Sequence, residues 1–135
     1  MVEKYLRIDP SGDITWIELE RLPRHNDIYC GAEAIDIRDL YPVIGCSCVE
    51  MVRSIFGDIV FFVDESGKIK NPPQALNPVA SRLYAGTAHG DPIVGPVVLF
   101  SLRHTEPYGE YDIFPLTDSQ LSVLSLALGA ALPAI

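Results

Sequence analysis

Apolar and polar side chains alternate over residues 4–8 and again over 14–19, the period-two pattern of half-buried strands. Asp9-Pro10-Ser11-Gly12 joins the two segments. Asp opens a type I turn, Pro presets the second position, and Gly supplies the left-handed residue of a bulged hairpin. The same logic predicts a second hairpin, with residues 59–63 and 68–70 flanking Asp64-Glu65-Ser66-Gly67. Segments 8–14 and 63–69 therefore look alike, and shared turn chemistry accounts for that without duplication. The run Ile59-Val60-Phe61-Phe62-Val63 does not alternate, which predicts a strand buried on both faces. Residues 48–55 are its expected neighbour, joined to it through Phe56-Gly57.

Helical signals are shorter. Residues 33–40 read as a short helix, with Ile35 and Ile37 leaving the period ambiguous. Asn77-Pro78 is a strong helix start: Asn accepts from orphan N–H groups, and Pro fits the first helical position. Gly86 is the expected end of that helix. Thr117-Asp118-Ser119-Gln120 is a capping-box pattern ahead of Leu121, Leu124 and Leu128, predicting a helix over about 118–129. Residues 93–102 return as a strand with Pro96 at a bulge or edge, and 108–114 form an aromatic strand. Residues 21–31 and 71–74 read as loops. Together these elements predict one α+β domain over 1–135, a mainly antiparallel sheet built from hairpins with two or three short helices packed against it.

Composition narrows the class. Hydrophobic content of 48% with 21% charged residues is that of a globular chain. A net charge of -8 disfavours nucleic acid and anionic membrane as partners, since both need a surplus of Lys and Arg. No basic segment precedes an apolar stretch at the N-terminus, and Gly129 and Pro133 interrupt the apolar run from Leu121 to Ile135, so neither a signal peptide nor a membrane segment is expected. Cys30, Cys46 and Cys48 are an odd set without a disulfide framework, which fits a reducing cytoplasm.

Candidate chemistry is sparse. Cys46 and Cys48, one residue apart, are two thiols on one side of a strand, half a tetrahedral site with no paired histidines among His25, His89 and His104. No metal or cofactor is expected. Gly90-Asp91-Pro92 sets a carboxylate beside His89, but a turn before a strand wants the same residues. No nucleophile elbow, P-loop or dinucleotide fingerprint occurs, so no catalytic residue is assigned. Arg82, His89, Arg103 and His104 are the candidate ligand-binding set, able to meet an anion if the fold gathers them. Trp16, in an alternating strand, is expected in the core or on the sheet surface.

Ile44-Gly45-Cys46, Val49-Glu50, Val63-Asp64-Glu65-Ser66-Gly67-Lys68, Asn77 with Ala80-Ser81, and Asp91-Pro92-Ile93-Val94-Gly95 occur in that order over residues 40–100. The series resembles a family of small proteins of unknown function carried by phages, plasmids and other mobile elements, from which it departs by Ser81 in place of Thr and in the spacing of Pro73 to Asn77. The resemblance implies a non-enzymatic accessory protein in the host bacterial cytoplasm, with a host protein or small anionic ligand as partner and host defence as one target. It carries no catalytic residues. Two other classes stay open: an enzyme acting on a nucleotide-like or phosphorylated molecule through Arg82, Arg103 and a histidine, and a structural or assembly protein. Val123, Leu126, Ala127, Ala130 and Ala131 make the last helix apolar on more than one face, so a homodimer through it is expected.

Overall fold

A computed structural model describes residues 1–23, 33–86, 90–105 and 110–135. Strands β1 (Val2–Ile8) and β2 (Ile14–Pro23) form the first hairpin, closing on the pair Ile8–Ile14. Its turn is the expected one: Gly12 sits at φ 92° and its N–H donates to Asp9 O at 2.9 Å. β2 continues through Arg21, where a loop is predicted, because those residues pair with β3 (Glu33–Ile35). The helix predicted over 33–40 is thus a strand followed by a 3-10 turn (Ile37–Asp39) and then α1 (Leu40–Ile44). The Asp36 side chain accepts from the Arg38 N–H, starting the turn one residue past the strand.

β4 (Val49–Arg53) pairs with β5 (Ile59–Asp64), as the sequence predicts, with Val49 opposite Asp64 and Arg53 opposite Val60. β6 (Val97–Thr105) and β7 (Glu110–Phe114) complete a sheet of order β3-β2-β1-β6-β5-β4, with β7 also on β6. Ser101 of β6 pairs with Ile59 on one side and Phe114 on the other, and Leu99 with Phe61 and Leu6. β1 and β7 therefore share the edge of β6 opposite β5. The helices α2 (Pro78–Leu83) and α3 (Asp118–Leu128) follow their predicted caps: Asn77 Oδ1 accepts from Ala80 N–H, and Thr117 and Gln120 form the reciprocal box.

Apolar clusters on both faces explain why β5 does not alternate. Phe61, with Leu6, Ile8 and Leu99, faces α2 and α3 through Ala80, Leu83 and Leu124. Val60 and Phe62, with Tyr5, Val98 and Phe100, face α1 through Leu40 and Ile44. Each side chain fully buried here contributes roughly 1.5–3 kcal/mol, so the doubly covered strand is the stable centre. The architecture is the predicted α+β class, a mainly antiparallel sheet with, among the described residues, three α-helices packed against it.

Three further expectations are corrected. Residues 68–70 are not a returning strand, because the chain keeps turning and the N–H groups of Ile69 and Lys70 both donate to Ser66 O at 3.1 Å. The strand expected from 93 begins at Val97, since Ile93 and Val94 are engaged with Asn77 and Leu76 and Pro96 has no N–H for a ladder. α2 ends at Leu83 with Tyr84 extended as its cap, ahead of Gly86.

Candidate functional site

The landmarks quoted from the sequence meet around one shallow cleft of about 90 Å³. Its apolar wall comes from Val52 on β4, Val63 on β5, and Ile93 with Val94 ahead of β6; Tyr84 closes one side. Glu50, Glu65, Lys68 and Asp91 bring charge to it. Local backbone chemistry assembles it. Asn77, wholly buried, accepts from Ala80 N–H at 3.0 Å and donates through Nδ2 to Ile8 O at 3.0 Å and Gly95 O at 2.9 Å. One amide thereby joins α2, β1 and the segment before β6. Ser81 Oγ accepts from Ile93 N–H at 2.9 Å, a bond the hydroxyl of Thr would also offer.

Gly95 has φ 75°, a left-handed conformation that side chains resist, and a Cβ there would lie 2.0 Å from Gln74 Oε1. The side chain of Gln74 also fills the space a Cβ on Gly67 would need. The loop after β5 and the loop before β6 are held together in this way, and Lys68 pairs with Asp91 across them. Asp64, at the buried end of β5, pairs with Lys70 and accepts from Ser66 N–H at 2.9 Å.

The thiols lie just outside the cleft and are not on a strand as expected. Cys46 is half-buried beside the α1-side cluster, whereas Cys48 is exposed and donates through Sγ to Glu65 Oε2 at 2.8 Å. Burial, with Asp64 nearby, pushes the Cys46 thiol up; the hydrogen bond to Glu65 does the same for Cys48. Both favour the thiol over the nucleophilic thiolate. Among the described residues no group of three or more His, Cys, Asp and Glu stands where it could hold a metal ion.

The predicted anion-binding residues are spread over the fold. Arg82 is exposed on the last turn of α2. Arg103 and His104 are successive residues of β6, so they project to opposite faces. Arg103 lies over the Phe114 ring, 4.6 Å from its centroid, and donates to Pro115 O at 3.2 Å. His104 meets the Tyr111 ring edge-on at 5.3 Å. His89, like His25 and Cys30, lies outside the described residues. Trp16 is half-buried against the α2 and α3 cluster, as expected, and its Nε1 donates to Pro133 O at 2.7 Å.

Sequence reasoning missed Arg21. It is 5% exposed and donates to Glu3 Oε1 and to Ile113 O, each at 2.6 Å. Its guanidinium lies 4.5 Å from the Phe114 centroid, and Asp112 is 3.8 Å away. Burial works against the charge, but the hydrogen bonds to Glu3 and Tyr5 outweigh it and hold the guanidinium still more firmly protonated. Tyr5 OH donates to Glu3 at 2.9 Å, and burial together with that bond raises its pKa. Arg21 opens a segment that reads as a polar loop, so nothing in the sequence signals its burial at the end of β2.

Among the described residues no helix is long and apolar enough to cross a membrane. No curated protein and no solved structure matches the chain. The sequence model described as "Domain of unknown function (DUF3846)" matches residues 5–121, from β1 into α3, and the chain belongs to that family.

Proposed function

We propose that this DUF3846 protein is a non-enzymatic accessory protein of a phage or other mobile element, acting in the host bacterial cytoplasm by holding a host protein. A component of host defence is the target class. The carrying observation is the cleft. At about 90 Å³ it is well short of the roughly 300–1,000 Å³ typical of metabolite pockets, yet it takes one inserted side chain. Of the charged groups around it, Lys68 is engaged with Asp91, Asp64 with Lys70 and Glu65 with Cys48. That arrangement suits a fixed docking surface better than groups poised for proton transfer.

A small anionic ligand is the second reading, favoured by Arg103. Its guanidinium is exposed while its plane is fixed on Phe114, a preorganised donor for a phosphate or carboxylate. The two readings separate in one set of measurements. Protein immobilised and exposed to host lysate should retain a partner that Glu50→Lys releases, with the far-UV spectrum unchanged. Thermal-shift titration with inorganic phosphate and nucleotides, repeated on Arg103→Gln, tests the anion. Turnover of any nucleotide in that panel, or a partner indifferent to Glu50→Lys and to other changes in the cleft, overturns the proposal.

A further inference from the structure

We infer that the outward face of α3 is a self-association surface, on which a second copy of this chain docks antiparallel across a two-fold axis. The surface is separate from the cleft. α3 spends one face on its own sheet: Gln120 and Leu124 are buried, and Leu121 and Leu128 pack half-buried on the α2-side cluster. Ser119, Ser122, Val123 and Leu126 line the opposite stripe at helical spacing, all exposed. Leu126 is 84% exposed and Val123 40%.

A single exposed leucine needs no explanation; the order of sizes along this stripe does. Small residues come first and large ones after. With the axis between positions 122 and 123, an antiparallel pair sets Leu126 of one copy over Ser119 of the other, and Val123 over Ser122. Each large side chain then has a small one opposite, which lets the helices approach to normal packing distance. A parallel pair instead sets leucine on leucine and serine on serine, leaving a void beside the serines. The stripe is therefore complementary to itself, as a two-fold interface requires.

Charge points to the same occupant. Two copies of a chain with net charge -8 repel, yet residues 118–135 carry only one charged side chain, Asp118. This is where two copies approach with least opposition. An eleven-residue helix spans only ~16 Å, so the contact is smaller than a standard interface and the dimer is weak and concentration-dependent.

Sedimentation equilibrium of the purified full chain over a concentration series tests this, with Leu126→Glu and Ser119→Leu beside it. The wild type should show a reversible monomer–dimer equilibrium. Leu126→Glu should raise Kd by about a hundredfold with an unchanged melting temperature, since two leucines leave the interface per dimer. Ser119→Leu should also weaken it, because the new side chain meets Leu126 of the other copy. A wild type that stays monomeric throughout, a dimer indifferent to Leu126→Glu, or a dimer strengthened by Ser119→Leu overturns the inference.

Discussion

Replacing Asn77 separates two roles that the sequence merges into one. As a helix cap alone, its loss costs about 1 kcal/mol. The buried side chain also donates to Ile8 O and Gly95 O, so Asn77→Ala removes a donor from two carbonyls at the junction of β1, α2 and β6. Leaving such groups unsatisfied costs about 1–3 kcal/mol each at the upper limit, less where a carbonyl keeps another donor. The expected loss is about 3–4 kcal/mol, a large part of the 5–15 kcal/mol typical of a domain. Asn77→Asp sharpens the distinction. It keeps the capping acceptor, and a carboxylate suits a helix N-terminus, so a residue acting only as a cap would tolerate the change. Here the second oxygen would face two carbonyl oxygens in a buried site, and Asn77→Asp should destabilise at least as much as Asn77→Ala. Urea unfolding with unchanged m-values measures both. Asn77→Asp as stable as wild type, or Asn77→Ala losing only about 1 kcal/mol, would refute the three-way junction and reduce the residue to its cap.

Arg21→Met should cost about 3–5 kcal/mol, read by urea unfolding, because Glu3 and Asp112 lose the cation that compensates their burial. Gly95→Ala should cost about 2–4 kcal/mol in the same assay, combining left-handed strain with displacement of Gln74. Tyr5 carries the clearest pH dependence. Its pKa is raised in the folded protein, so the unfolded chain loses this proton first, from about pH 10, and stability is complete below that value and falls as pH rises beyond it. Tyr5→Phe should flatten that alkaline loss in urea titrations at increasing pH, and an equal slope in the two proteins would count against the buried hydroxyl as its source.

The parts of this fold that short-range chemistry dictates were legible in the chain. Asn77-Pro78 and Thr117 with Gln120 specify their helix starts because the bonds run between residues three apart. Ile59 to Val63 signalled a doubly covered strand because uninterrupted apolar character has few other uses in so short a segment. Long-range competition decided the rest. Asp64-Glu65-Ser66-Gly67 has the letters of a hairpin turn, but Gly67 gives its space to Gln74 and the chain turns on instead of returning. Ile35, Leu40 and Ile44 share one cluster while belonging to a strand and a helix, so no single period described 33–40. The cleft followed the same rule. Its turns and caps were readable one by one, whereas the meeting of Lys68 with Asp91, or of Gln74 with Gly95, exists only once the loops are closed.

The position of β6 dictates when the protein can become itself. Among the described residues it alone pairs with β1, β5 and β7, and its partner Leu6 lies far earlier in the sequence than Leu99. During synthesis both early hairpins emerge first, and each can close its turn unaided. Neither has a partner for its inner edge: Leu6 to Ile8 on one and Ile59 to Phe62 on the other wait for the same missing strand. Pairings this distant in sequence make folding slow and leave the waiting edges open to wrong partners. A chain halted before Val97 therefore presents two hairpins with open edges to chaperones and proteases, and the arrival of β6 is the step at which its fate is decided.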